Sequence, residues 1–452
     1  MEKSTLDTRL LELVQKNDYL KILFLVLSGW ALFLTKVFSF ENIFLIFSIL
    51  MVWIYRRPVS ELKLLFPYRL FLILLLFFIV MPSLPTLYYL PLGERSEEFL
   101  HHRMAALIVF LYVVILFWQL RPSATHIWYG LILTGLAVLV VLIYEIAGLP
   151  NTEAIFSHRF GDSLTPHPIH FGLYSNLILI VLLGGFFWAW SQGKMYLSAL
   201  VIAVLVYLLG VILSESRTAW IGLPEAVVAW LLFYLSLFLI KKHQVSKRNI
   251  ILVLMGIVLS AMVLFSLFSD RVVQRVNLAV EDVHNYISGA EAGSIGQRFV
   301  MWEVGLHGLL HSPFVGVGED NSLHYQERIS RAIMLERIGV DQAVVYGHLH
   351  NQYIHEAFTR GVFALLGLLV FLLYMFFYFV KRIRCSKKHS AQLVWSIAGL
   401  VFIIASAVSM LTESWIHLSN GVAFFIYYIM LYYFLSSAED TSSVFGGVNR
   451  EY

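Results

Sequence analysis

Long apolar runs alternate with short polar segments along most of this chain of 452 residues. A membrane-spanning helix needs about 20 mainly apolar residues, and backbone polar groups inside lipid must be satisfied within such a helix. We therefore predict about twelve transmembrane helices, the second of which is short. They lie near residues 20–38, 41–55, 66–88, 104–120, 127–147, 169–190, 195–213, 220–240, 249–269, 361–380, 391–411 and 419–436.

One polar segment, 270–360, is too long to be a simple connection between the ninth and tenth spans. Its stretch "QRFVMWEVGLHGLLH" (297–311) has apolar residues at helical spacing, and "HYQERISRAIMLERIG" (324–339) predicts a second helix. The fold class is therefore an all-α polytopic membrane protein with a large helical loop. The predicted domains are a membrane domain 1–269 with spans one to nine, a loop domain 270–360, and a membrane domain 361–452 with the last three spans and a tail.

The composition supports this assignment, since 59% of the residues are hydrophobic, only 13% are charged, and the mean hydropathy is +0.77. A soluble domain carries roughly 25% charged residues. The net charge of +3 and the lack of a basic stripe with interleaved aromatics predict no nucleic-acid partner. The single cysteine, Cys385, excludes an intramolecular disulfide and a cysteine-based metal cluster. The charged N-terminal stretch lacks the features of a signal peptide, so the first span is expected to be uncleaved.

The distribution of Lys and Arg among the loops predicts the orientation, because cytoplasmic loops carry an excess of both. With the N-terminus in the cytoplasm, nearly all short-loop basic charge falls on that side. The basic loops are 56–63, 121–126, 191–194, 241–248 and 381–390. Both termini are then cytoplasmic and segment 270–360 is outside. Thirteen of the sixteen histidines also fall outside, which favours chemistry on the outer face.

The stretch "GHLHNQYIHEAFTRG" (347–361) concentrates titratable groups directly before the tenth span. Asn351 is a good N-cap for a helix that runs into this span. His350 then precedes a helix N-terminus, whose dipole disfavours imidazolium, so we expect a neutral histidine near pH 7 and a candidate general base. A metal site formed by His348, His350 and His355 is an alternative, although the spacing is not that of a zinc motif and no nearby carboxylate fits. Simple solvation of a loop end is another.

Two arginines are the candidates for binding an anion. Arg217 in "SESRTAW" (214–220) lies at the outer mouth of the seventh span, where a guanidinium must either snorkel or find an anion. Arg298 shares a helix face with Trp302, and an ordinary solvated arginine is the alternative for it. Two arginines suit a diphosphate, because their planar donor groups match its oxygens. A diphosphate at headgroup depth implies a lipid-linked pyrophosphate, and a base beside it implies an acceptor hydroxyl.

These segments resemble the O-antigen ligase family, within the larger group that includes O-antigen polymerases and bacterial O-oligosaccharyltransferases. "SRTAW" (216–220) is similar to the family's arginine turn after a central span. "RFVMWEVGLHGLLHSPFVGVG" (298–318) resembles its arginine helix and Pro…GVG turn, and "HNQYIHEAFTRG" (350–361) resembles its His-Asn segment. Ala364 departs from the ligase pattern, which has Gly, Thr or Tyr there, and this weakens the choice of ligase over polymerase.

The resemblance implies a GT-C-like glycosyltransferase of the bacterial inner membrane, with a periplasmic active site, no cofactor and no metal. The donor would be a glycan on undecaprenyl diphosphate, and the acceptor would be lipid A–core oligosaccharide in lipopolysaccharide biosynthesis. Arg217 and Arg298 would bind the diphosphate, and His350 would take the proton of the acceptor hydroxyl in an inverting transfer. Weaker site candidates are Asn351, His348, Glu225, His170, Trp302 and Glu413.

Other functions remain open at this point. An O-antigen polymerase or a protein O-oligosaccharyltransferase would differ only in the acceptor, which one sequence does not reveal. A secondary transporter is a remote alternative, because such proteins often consist of two similar halves with polar sites at the midplane of the membrane. Here the connection between spans six and seven is a few residues long, and the span interiors carry almost no charge.

Overall fold

The structure is a computed structural model that describes residues 18–151, 153–156, 158–220, 223–239, 266, 273–274, 276–290, 293–387 and 390–437. All elements formed by these residues are helices, and eight of the helices are long and apolar enough to cross a membrane. The predicted all-α polytopic membrane fold is therefore confirmed. The ninth predicted span, 249–269, lies outside the described residues except for residue 266.

In the described residues, the first part of the membrane region contains nine α-helices. They are α1 (Asp18–Phe33), α2 (Phe40–Tyr55), α3 (Arg69–Val80), α4 (Ser83–Tyr88), α5 (Glu94–Ile115), α6 (Ala124–Ala147), α7 (Pro168–Leu182), α8 (Phe186–Gln192) and α9 (Lys194–Leu213). α3 and α4 together form one candidate span, and so do α7 and α8. The second predicted span is confirmed as a short helix, since α2 has 16 residues.

The second part contains the loop helices and the last three spans. They are α10 (Arg217–Trp220), α11 (Leu223–Leu239), α12 (Ser294–His311), α13 (Ser322–Ile338), α14 (Gln352–Cys385), α15 (Ala391–Ser409) and α16 (Ser419–Ser437). Residues 276–287 are also helical. The two helices predicted within 270–360 correspond to α12 and α13 and are confirmed.

α7 and α16 form the centre of the membrane region, because both are buried along almost their whole length. α16 packs against α5 and α15, while α7 packs against α9 and α15. Tyr174 and Phe424 join the two central helices by stacking, with ring centroids 4.2 Å apart. Inside lipid, such close van der Waals packing is what drives helix association.

A second, smaller hydrophobic core lies beneath α12 and α13. Its buried members are Val300, Met301, Val304, Val317, Ile333, Met334, Val344, Leu349 and Phe358. Along α12 they recur at the spacing of one helical face. Since Leu349 and Phe358 belong to this core, it fixes the stretch that leads into α14.

α14 is broken at Gly361, where φ is +76°. A Cβ at this position would lie 2.2 Å from the carbonyl oxygen of Phe314, so both the conformation and the space require glycine. Val362 donates a backbone hydrogen bond to Pro313 at 2.7 Å, and Gly316, with φ of +72°, lies against the same break. The loop 312–318, which follows α12, thus packs against the start of the tenth predicted span.

Candidate active site

The candidate site is built around the loop 410–418, which connects α15 to α16. The backbone nitrogen of Gln352 donates to the carbonyl of Met410 at 2.8 Å, and the side-chain oxygen of Gln352 accepts from Ile416 at 3.1 Å. The Tyr353 hydroxyl donates to the carbonyl of Ala407 at 2.8 Å. These bonds clamp the first turn of α14 to the loop and to the end of α15.

His350 stands directly before this clamped turn. The side chain of Asn351 accepts hydrogen bonds from two backbone N–H groups of the first turn of α14, each at 3.1 Å, so the predicted N-cap is confirmed. His350 itself has φ of +47°, which is uncommon for a residue with a side chain and persists only where the surroundings enforce it. Trp302 contributes to this by donating from its indole nitrogen to the carbonyl of Leu349 at 3.1 Å.

Glu413 is the buried partner of His350. Its carboxylate lies 2.9 Å from Nδ1 of His350 and 3.4 Å from Nε2 of His348. Burial alone would raise the pKa of Glu413, but the hydrogen bond from His350, together with the charges that the neighbouring histidines carry when they are protonated at low pH, holds it well below its usual range. An ionised carboxylate only accepts, so the proton lies on Nδ1 of His350. The lone pair of a neutral His350 is then on Nε2, as a general base requires.

Further imidazoles continue from His350 into the protein. The ring of His348 lies 4.3 Å from that of His350 and 5.0 Å from that of His417, which is 5.0 Å from His355. Burial lowers the pKa of His348 to about 4, although the charge of Glu413 opposes this. Burial also lowers the pKa of His417 well below its ordinary value, so both rings are neutral at pH 7. That His350 is neutral remains a prediction.

Thr412 connects the two arginine segments to this centre. Its carbonyl oxygen accepts a hydrogen bond from Arg298 at 3.2 Å, and its hydroxyl lies 3.1 Å from the hydroxyl of Thr218. Thr218 follows Arg217 in the short helix α10. Because Glu413 is the next residue in the chain, the structure brings the segments of Arg217, Arg298 and His350 together at one loop.

His348, His350 and Glu413 form a group that can hold a metal ion, since their ligand atoms all lie within 4.8 Å of one another. The alternative metal set read from the sequence is wrong in its third member. His355 is fully buried, and neither of its ring nitrogens has a hydrogen-bond partner among the described residues. Glu413, which lies 63 residues beyond His350, supplies the carboxylate that the local sequence lacks.

The remaining weak candidates are His170, which lies close enough to Glu413 for the charge of a protonated ring to act on the carboxylate, and Glu225. His170 is buried in α7 with its ring 5.9 Å from that of Tyr174, and its nitrogens have no hydrogen-bond partner within the described part of the chain. The side chain of Glu225 lies outside the described residues.

The sequence analysis did not identify a buried ion network next to the histidines. Arg360 binds both Glu319 and Glu356, and a guanidinium nitrogen of Arg103 lies 3.5 Å from Glu356. All four residues are at most 5% exposed, and the guanidinium of Arg360 lies over the ring of Phe99 at 3.7 Å. The sequence offered no local signal for this network, because charges at the ends of apolar runs are ordinary and the burial of these residues depends on partners from other segments.

A family model matches the part of the chain that contains the three sequence motifs. Residues 202–369 match the family model described as O-antigen ligase. An uncharacterized protein of Haemophilus influenzae is 25% identical over 235 residues, which cover 51% of this chain and 56% of that protein. The O-antigen ligase of Escherichia coli is 24% identical over 243 residues, or 53% of each chain. The chain thus spans about half the length of these curated relatives, and the resemblance read from the motifs is confirmed.

Proposed function

We propose that this chain transfers a glycan from undecaprenyl diphosphate to lipid A–core oligosaccharide. Its residues 202–369 match the model of the O-antigen ligase family, a family of glycosyltransferase-type enzymes. One observation carries the proposal: a His350–Glu413 pair lies beside Thr412, where the segments of two arginines meet. This arrangement suits a base and an anion-binding group that act on the same glycosidic bond.

In the proposed reaction, Nε2 of His350 removes the proton of an acceptor sugar hydroxyl. The oxygen attacks the anomeric carbon of the donor, and the bond between that carbon and the diphosphate oxygen breaks with its electron pair going to the diphosphate. The configuration of the anomeric carbon is inverted. The Glu413 carboxylate stabilises the imidazolium that forms and keeps the ring in the required tautomer, as the buried carboxylate of a catalytic triad does.

Arg217 and Arg298 have the second role, which is to stabilise charge that grows on the leaving diphosphate. Guanidinium groups bind phosphate oxygens through paired hydrogen bonds and stay charged at any relevant pH. Removing one donor of this kind typically costs about 10²–10³-fold in rate. We therefore expect Arg217→Ala and Arg298→Ala each to lower kcat in that range.

The test is a transfer assay with purified protein, lipid-linked glycan and lipid A–core in the presence of EDTA. Wild type should form the conjugate and His350→Ala should not, while His324→Ala, a histidine exposed on α13, should behave as wild type. If EDTA stops the reaction, a metal held by His348, His350 and Glu413 takes part and the base mechanism is wrong. If wild type lengthens the lipid-linked glycan instead, the protein is a polymerase, and Ala364 is the residue that favours this alternative.

The proposed location is the bacterial inner membrane, with cytoplasmic termini and the 270–360 domain in the periplasm. The basic loops support this orientation, and the single cysteine tests it. Cys385 is exposed at the end of α14 and is expected in the cytoplasm. A membrane-impermeant maleimide applied to spheroplasts should leave it unlabelled but should label a Cys385→Ser, His324→Cys variant. The reverse labelling pattern would invert the topology.

A further inference from the structure

A separate cavity of about 260 Å³ lies beyond His348, on the side of the histidines that faces α5. Its lining includes Arg95, Glu98 and His102 from α5, together with His348 and His417. The proposed mechanism assigns no role to this space. It is slightly smaller than the range of roughly 300–1,000 Å³ typical for pockets that bind drug-sized ligands, so it suits one sugar ring better than a lipid chain.

The charges around the cavity differ in whether they are available to a ligand. Arg360 and Glu319 also line it, but the two are paired with each other, and Arg360 is paired with Glu356 as well. The backbone N–H of Arg95 donates to the Asp320 carboxylate at 3.1 Å. Its guanidinium donates to the backbone carbonyls of Glu319 at 3.2 Å and Gly347 at 3.0 Å. Among the described residues the guanidinium has no ion-pair partner, so its positive charge and remaining N–H groups are available.

Glu98 lies on the same wall as Arg95, three residues further along α5. Its carboxylate is 3.8 Å from Nε2 of His102, and its side chain is 68% exposed, so it is free to accept hydrogen bonds. A cation that donates and an anion that accepts, both on a rigid helix, match the alternating donor and acceptor character of sugar hydroxyls. This combination is unsuited to an apolar chain, because the charged groups would lose their solvation without compensation.

The position of the cavity relative to the reacting groups indicates which sugar would enter it. His348 forms its wall and has its ring 4.3 Å from that of His350. Neither Thr412 nor Arg298 lines it, so the cavity is distinct from the place where the arginine segments meet. In an inverting transfer the attacking hydroxyl approaches the face opposite the leaving group. The acceptor therefore approaches from the side away from the arginines.

We propose that this cavity is a subsite for the acceptor glycan, in which Arg95 and Glu98 bind the sugar next to the one that receives the new bond. The inference rests on the proposed function, because it requires a transfer centred on His350. It adds a binding site on α5, far in sequence from residues 202–369. An acidic substituent on that sugar would bind Arg95 more tightly than a hydroxyl does.

The experiment measures transfer by the full-length protein, first with lipid A–core varied at saturating donor and then with the donor varied at saturating lipid A–core. Arg95→Ala should raise KM for lipid A–core about tenfold or more, the usual effect of losing a hydrogen bond from a charged group. Glu98→Gln should raise it less, and KM for the donor should change less than twofold in either variant. Arg331→Ala is the matched control, since Arg331 is exposed and its ion-pair partners within the described part of the chain, Glu327 and Asp341, are exposed acids.

Two kinetic outcomes would overturn the inference. A higher KM for the donor would assign the cavity to the donor glycan, and unchanged values for both substrates would exclude a substrate subsite. A direct binding measurement separates this inference from the proposed function. Lipid A–core in detergent micelles should bind wild type more tightly than Arg95→Ala, with undecaprenyl diphosphate bound equally by both. Wild type that forms no conjugate would refute the function, whereas equal lipid A–core binding by wild type and Arg95→Ala would refute the subsite.

Discussion

Replacing Glu413 by glutamine tests the central pair with the smallest change of shape. The side chain is only 2% exposed, and its carboxylate receives the Nδ1 proton of His350 at 2.9 Å. Glutamine fills the same space but removes the charge, and its amide nitrogen can face Nδ1 of His350 instead of its oxygen. In that orientation the histidine proton moves to Nε2, and the base loses the lone pair that should receive the acceptor proton.

The expected size of the effect follows from these contacts. A hydrogen bond to a charged group contributes about 1.5–3 kcal/mol, and each 1.4 kcal/mol lost from the transition state is about tenfold in rate. Loss of the Glu413 charge should therefore lower kcat by about 10- to 100-fold. The wrong tautomer adds to this, and the corresponding change in a Ser-His-Asp triad, about 10⁴-fold, is the upper limit. KM for donor and acceptor should change little, because Glu413 contacts neither substrate in the proposed mechanism.

The assay is the transfer reaction with EDTA, run for Glu413→Gln, His350→Ala and the double variant. If Glu413 acts through His350, the double variant should be no slower than His350→Ala alone, because residues that act as a unit are not additive. Glu327→Gln, at an exposed position on α13, is the matched control and should match wild type. If the double variant loses the full factor of both single changes, Glu413 does not act by positioning His350 and the reasoning fails.

Three further changes probe the surroundings of the site. Gly361→Ala should abolish folding, since the residue has φ of +76° and its Cβ would lie 2.2 Å from the Phe314 carbonyl; a monodisperse, active variant would contradict this. Arg360→Ala should lower the free energy of thermal unfolding by about 3–5 kcal/mol, because it removes a buried partner of the Glu356 charge. The double variant Arg360→Met, Glu356→Gln removes both charges and should recover part of this loss. Folding lowers the pKa of His348 from 6.5 to about 4. Between these pH values the unfolded chain therefore binds more protons than the folded protein does. The free energy of unfolding should fall by up to about 3 kcal/mol as the pH drops from 6.5 to about 4. His348→Asn should flatten that pH dependence of the melting temperature, and an unchanged slope would refute the assignment.

The membrane helices were predictable because their signal is local. A run of apolar residues and its flanking charges determine a span without knowledge of its neighbours. The same holds for Asn351, whose capping role depends only on the residues that follow it. The continuation of α14 from Asn351 into the tenth span was also predicted, whereas its break at Gly361 was not. That break depends on the loop at Phe314, which packs against it from elsewhere in the chain.

The candidate site was only partly predictable, because its contacts are long-range. His350, Arg217 and Arg298 carry a local signal, since each is a polar residue in an unusual place. Glu413 was ranked among the weak candidates because "TESWIH" looks like any polar connection between two spans. Arg95 carried no signal at all, because an arginine just before a membrane span is ordinary and its significance depends on a cavity.

The loop 410–418 explains why the site and the membrane core should respond together to mutation. Gln352 ties this loop to α14, and Tyr353 ties α14 to the end of α15, so the position of His350 follows the packing of spans that never contact substrate. Glu413 is held by the same backbone, and its short distance to His350 depends on that packing as much as on either side chain. Substitutions that loosen α15 against α16 should therefore reduce kcat before they reduce substrate binding, because in the proposed mechanism binding relies on the arginines and the separate cavity.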